Sequence, residues 1–266
     1  IELERDAPVY AADSAFASFA AVLKVADELD ESRTMLLDLL ATNRDDGALP
    51  FALSHLPQLE LWAGNWDAAE DFSHRHLAAA TTAAQHDQVA QAMFNLAALN
   101  AYRGAVEDAA TLAERVRRSG LESGDAWTER NGLSMLGLVA LSSGDAEGAV
   151  QTLSRWHDLT VQMGLGEPGY CRMRPDYVEA LVATGRLDEA DEIVAIMQAD
   201  ADRFQRPALR AVAARARALV AASRGVQAEA VRSATEAVEF SAATPFVLDH
   251  ARALLTLGQV HRRFKE

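Results

Sequence analysis

Trp62-Ala63-Gly64-Asn65-Trp66-Asp67-Ala68-Ala69 is the first of five segments that repeat along the chain. Tyr102-Arg103-Gly104 to Ala109, Ser142-Ser143-Gly144 to Ala149, Ala183-Thr184-Gly185 to Ala190 and Ser223-Arg224-Gly225 to Ala230 follow it. Each carries Gly with Ala five residues later, and the glycines are 40, 40, 41 and 40 residues apart. A fixed period of this length is the signature of a repeat architecture. The physical unit behind it is a helical hairpin. Glycine ends one helix because it takes the left-handed conformation without a Cβ penalty. Acidic residues then face the positive end of the next helix: Asp67, Glu107, Asp108, Asp145, Asp188, Glu189 and Glu229. The Ala sits where two helices cross closely.

Upstream of each glycine, apolar residues recur at helical spacing, as in Leu53, Leu56 and Leu61 or Met93, Leu96 and Leu99. The residue seven before the glycine is small in three repeats, Ala97, Gly137 and Ala218. Pro57 takes that place in the first and is expected to kink its helix. This register predicts first helices over 49–63, 89–103, 129–143, 172–184 and 209–224. Second helices fall at 66–84, 106–119, 145–163, 187–201 and 226–241. The linkers are 118–125, 164–169, 202–207 and 241–245. Residues 10–28 and 32–45 form a degenerate N-terminal pair, and 247–264 is the first helix of a sixth pair. That last helix lacks a partner and leaves an apolar face uncovered, so the chain reads as a fragment of a longer protein whose exposed helix invites a homodimer.

Composition agrees. The 266 residues include 54 Ala, and only two Lys stand against 23 Arg. Strong helix formers dominate, which excludes an all-β fold. One cysteine, Cys171, excludes an internal disulfide framework and fits a reducing, cytoplasmic compartment. No uninterrupted apolar stretch is long enough for a membrane span, and no signal-peptide pattern is visible. A net charge of −14 repels phosphates and argues against nucleic-acid binding by these residues.

Helix pairs marked by Gly-x-x-x-x-Ala resemble tetratricopeptide repeats, stretched to about 40 residues. The run from Pro175 to Ala190, and Pro245-Phe246 followed by Ala251 to Arg263, resemble large actinobacterial LuxR-type regulators of the maltose-regulator kind. The resemblance implies an all-α, right-handed superhelix of helix pairs in a single domain over 1–266. It also implies an inducer-sensing or partner-binding role beside a P-loop ATPase and a helix-turn-helix, neither of whose motifs occurs here.

No residue set reads as catalytic, no cofactor is implied, and no metal site is expected. His74 and His76 point about 200° apart on a helix, too far to share an ion. The histidines read as surface or capping groups, and Cys171 as a plain thiol. The acidic residues read as solvated faces.

If the repeats stack, the first helices line a concave groove. The positions thirteen, ten, six and two before each glycine then face it, giving a mixed stripe of rings, amides and charges. Its candidate binding residues are Trp62, Gln91, Phe94, Tyr102, Asn131, Arg172, Glu179 and Arg215. Such a lining suits a polar small-molecule inducer, with rings against its faces and Arg172 and Asn131 on its oxygens. A protein partner in the same groove is the alternative.

Overall fold

The computed structural model describes residues 15–42 and 49–265, all helices and turns. The parts of the predicted N-terminal pair at 10–14 and 43–45 lie outside them. In order, the helices are α1 (Ala15–Val25), α2 (Leu29–Thr42), α3 (Leu49–Trp62), α4 (Trp66–Thr82), α5 (His86–Arg103), α6 (Val106–Ser123) and α7 (Ala126–Ser142). They continue as α8 (Ala146–Gln162), α9 (Arg174–Ala183), α10 (Leu187–Phe204), α11 (Pro207–Ser223), α12 (Gln227–Ser241) and α13 (Val247–Phe264). A 3-10 turn, Pro168–Tyr170, precedes α9. The chain forms two compact units, 1–136 and 137–266, whose boundary falls within α7. Inside each unit consecutive helices pack together. First helices also meet the first helix of the next pair, as α3 does α5, α9 does α11 and α11 does α13.

The five repeat glycines all hold positive φ, between 76° and 84°. The structure adds a second set of left-handed residues halfway between them: Ala84, Gly124, Gly164 and Gln205. Reversals therefore come every 20 residues from Gly64 to Gly225, with one step of 21. Most are closed by the same bond, in which the amide beyond the left-handed residue returns to a carbonyl five residues back. Asn65 N donates to Glu60 O at 2.8 Å, Ala105 N to Asn100 O at 2.9 Å, and Arg186 N to Leu181 O at 2.8 Å. Only alternate turns were legible as a repeat, because Ala84 and Gln205 break the glycine pattern of the second set.

After each repeat glycine, one seam of the second helix is buried. It lies five, nine, twelve and sixteen residues on: Ala149, Leu153, Trp156 and Thr160 in α8, or Ala230, Ala234, Ala237 and Ser241 in α12. The Ala of the sequence motif is thus the first residue of a helix-crossing seam, as its size requires. In the second unit the α11–α12 crossing centres on alanine, Ala218, Ala221 and Ala222 against Ala230 and Ala234, with Val231 packed beside them.

Several boundaries differ from expectation by two to four residues. α6 runs through 118–123, where a linker was expected, because Gly120 serves a helix crossing: a Cβ there would collide with the Glu129 backbone of α7. α9 starts at Arg174 because the 3-10 turn takes up Pro168–Tyr170. α3 continues through Pro57.

Left-handed glycines carry a testable cost. Gly185→Ala should lower stability by about 1–2 kcal/mol, the penalty of a Cβ in that region. Gly166→Ala, where a Cβ meets nothing within 4 Å and φ is not left-handed, should change the urea midpoint little. Equal midpoints for both variants would remove the turn from the stability argument.

Candidate functional site

The residues thirteen before the left-handed end of each first helix form a register: Phe51, Gln91, Asn131, Arg172 just ahead of α9, Val212 and Arg252. In both units the polar members of this register and their neighbours join helix to helix.

In the first unit the joints are amides. Asn131 Nδ2 donates to Gln91 Oε1 at 3.3 Å, and Gln91 Nε2 donates to Asn95 Oδ1 at 3.4 Å. Asn95, itself buried, donates to the Ser54 carbonyl at 3.2 Å. This chain links α7, α5 and α3. Its bonds are long for N–H···O contacts and therefore weak. Gln91 is half-buried and Asn131 buried. Of the aromatic candidates, Tyr102 and Trp62 are half-buried and Phe94 is buried. Trp62 lies under the Lys24 ammonium, 5.3 Å from its ring centre. Lys24 is only 3% exposed; it donates to Gln58 Oε1 at 2.6 Å and sits 3.2 Å from His55 Nδ1. Burial, with the Lys24 charge alongside, pushes His55 well below the usual imidazole range. Beside this cluster, buried Glu60 accepts two bonds from Arg33 and one from Asn65.

In the second unit the joints are charges. Arg252 of α13 donates to Asp176 at 2.6 Å and to Glu179 at 3.0 Å, both on α9. Arg215 of α11 donates to the same Glu179 oxygen at 2.9 Å. Burial disfavours the Glu179 charge, but the two guanidinium groups outweigh it and hold its carboxyl below the usual range. Arg172 donates to Asp249 at 2.8 Å and lies 4.2 Å from the Phe246 ring centre. Arg172, Glu179 and Arg215 are thus brought into one lane of ion pairs. Sequence reading missed Asp176, Asp249 and Arg252 as its other members. Arg252 falls on the thirteen-before register, which is the signal that would have found it.

Arg172 was expected to point into the groove, towards a ligand's oxygens. Its ion pair and its stacking on Phe246 tie it to α13 instead. His76 was expected at the surface or at a cap and is fully buried, at the place where Val116, Trp156, Met197 and Ala237 stand in the other seams. Its Nε2 donates to Gln88 Oε1 at 3.2 Å, while Nδ1 has no partner. Cys171 is buried in the loop before α9. Among the described residues no group of three His, Cys, Asp or Glu side chains is placed to hold a metal ion, and no helix is long and apolar enough to cross a membrane.

No protein-family model matches the chain, and a search of curated proteins returns no match.

Two expectations follow. Asp176 is 3% exposed, so Arg252→Ala would strand a buried carboxylate and cost about 3–5 kcal/mol. Adding Asp176→Asn should return part of that loss, which a double-mutant cycle in urea would measure. Additive losses would mean the two residues are uncoupled. Second, burial pushes the His76 pKa down to about 4. The unfolded imidazole takes a proton near pH 6.5 and the folded one does not. Stability is then complete above pH 6.5 and falls by about 3 kcal/mol as pH drops towards 4. His76→Val should flatten that slope; an unchanged pH dependence would assign the acid sensitivity to other groups.

Proposed function

We propose that this chain is the ligand-sensing or protein-interaction repeat domain of a LuxR-type, ATP-dependent transcription regulator. The two runs at Pro175–Ala190 and Pro245–Arg263 support the family, and the 20-residue helical rhythm supports stacked tetratricopeptide-like pairs wound as a right-handed superhelix. The binding role, as opposed to a catalytic one, rests on the polar contacts that join first helices inside each unit. The amide chain of the first unit carries the reading. Asn131 donates to Gln91 at 3.3 Å and Gln91 to Asn95 at 3.4 Å, bonds that the hydroxyl, carboxylate or amide groups of a ligand can replace at little cost. Half-buried Tyr102 stands eleven residues along α5 from Gln91, three helical turns away on the same helix.

A small-molecule inducer bound there would act by favouring one state of the regulator over another, which requires different affinities for the two. The second reading is a scaffold for a peptide or partner subunit. The saturated ion lane favours it, since a charged peptide exchanges such pairs one for one. In either reading this cytoplasmic segment, at −14 charge, neither hydrolyses ATP nor binds DNA by itself.

The test is thermal denaturation of the purified domain against sugars, carboxylic acids, nucleotides and short peptides. A sensor gives a melting shift with one small-molecule class, lost in Gln91→Ala. A scaffold gives shifts with peptides alone. Binding that ignores Gln91 and also ignores Arg215 would defeat the lane as the recognition surface.

A further inference from the structure

Each charged member of the ion lane among α9, α11 and α13 has an opposite partner, but its hydrogen bonds are not all made. Among the described residues Arg215 forms one hydrogen bond, from Nη1 to Glu179 Oε2 at 2.9 Å, and Nε and Nη2 have no protein partner. Those two nitrogens form the edge of a guanidinium that matches both oxygens of a carboxylate. Three other arginines of this chain use the edge in that way. Arg33 grips Glu60 through Nε at 2.7 Å and Nη2 at 3.1 Å. Arg117 grips Glu114 at 2.7 Å through each nitrogen, and Arg186 grips Glu189 at 2.6 Å through each. The Arg215 side chain is 6% exposed, against 23%, 32% and 41% for those three. The most buried of the four leaves its edge empty.

Glu179 is the reason. Arg215 and Arg252 converge on its Oε2, and among the described residues nothing bonds Oε1. The Glu179 side chain is 38% exposed, so solvent reaches this carboxylate. The charges are correspondingly uneven. Burial and the neighbouring Arg252 charge push Arg215 below the usual guanidinium range, against the pull of Glu179 and Asp176. A guanidinium stays protonated all the same, so this buried cation is left under-compensated. A second carboxylate on its empty edge corrects that. Val212 and Leu219, both half-buried, stand three residues before and four after Arg215, on the same side of α11.

We propose that Arg215 and Glu179 bind the head group of an α-amino acid with an aliphatic side chain. Its carboxylate takes Nε and Nη2 of Arg215, its ammonium donates to Oε1 of Glu179, and its side chain lies along Val212 and Leu219. A ligand with a carboxylate alone sets its charge beside Glu179 with nothing to offset the repulsion; the adjacent ammonium removes it. The inference rests on the ligand-sensing reading above and gives it a ligand class, but it makes no use of the amide chain of the first unit.

The test is calorimetry of the whole chain with L-valine, L-leucine, L-leucinamide and N-acetyl-L-leucine. We expect saturable binding of the two amino acids. Leucinamide, without the carboxylate, and N-acetyl-leucine, without the ammonium, should each bind at least tenfold more weakly. Arg215→Lys keeps a cation beside Glu179 but lacks the two-nitrogen edge, and should weaken leucine at least tenfold; if that variant fails to fold, the ligand series decides alone. Gln91→Ala should bind leucine as wild type does. No heat with either amino acid at millimolar concentration, or leucinamide binding as tightly as leucine, would overturn the proposal. N-acetyl-leucine binding equally well would do so too, since it would assign the edge to a peptide C-terminus. Leucine binding that survives Arg215→Lys and is lost in Gln91→Ala would move the ligand to the amide chain, sinking this site while leaving the sensing role in place.

Discussion

A left-handed residue every 20 positions sets the terms for everything else in this molecule. At each one the chain must reverse while the last helical carbonyls still need donors. The bond from the next amide back over five residues meets that need, and it fixes the exit direction of the chain. Because the step is constant, a given offset from the turn always returns to the same side of its helix. Ala149 and Ala230 fall into equivalent crossings for this reason, as do Gln91 and Asn131, without any shared local sequence. The register converts a one-dimensional period into aligned surfaces, one apolar and one polar.

The apolar surface is unusual in how little it contains. The α11–α12 crossing is built on alanine, whose side chain buries few atoms and loses no rotamer entropy. Close approach lets backbone atoms make the dispersion contacts that larger side chains would make elsewhere. Close crossings elsewhere tolerate equally little growth: a Cβ would collide with the Glu129 backbone at Gly120 and with the Leu153 side chain at Gly137. The alanine seam also discriminates weakly between neighbours, since one alanine face fits another. The polar contacts between first helices supply what the seam lacks. Asp176, Glu179, Arg215 and Arg252 have directional partners at one register only, so a slipped pairing would leave buried charges unmatched.

The turns marked by Gly64 to Gly225, and the helix that starts after each of them, were legible because glycine and an acidic first turn have local physical causes. Ala84 and Gln205 were not, since a non-glycine residue reaches positive φ only when the surrounding helices impose it. Gly120 misled for the opposite reason: in isolation a glycine beside Ser119 reads as a breaker, and only the neighbouring helix reveals that it permits contact. The site was legible as a stripe but not as a network. Spacing placed Gln91, Asn131 and Arg172 on equivalent positions; no local signal says that Glu179 is shared by two arginines 37 residues apart in sequence. His76 was misplaced because its residue type outweighed its register, although twelve residues after Gly64 is a seam position in every pair.

That last error points to how polarity is distributed between the units. The first unit joins its first helices α3, α5 and α7 through the neutral amides of Gln91, Asn95 and Asn131, although it also buries Glu60 against Arg33 and Lys24 beside His55. The second buries full charges and neutralises them pairwise. Neutral amides exchange partners at low cost because no uncompensated charge remains when a bond breaks. An ion pair in a half-buried lane resists exchange, since removing one member leaves the other costly to keep. The amide bonds among α3, α5 and α7 therefore exchange at low cost, while the ion pairs among α9, α11 and α13 act as a brace. Raised ionic strength acts on the two differently for the same reason: it screens the exposed rim of the brace and leaves the amide chain untouched.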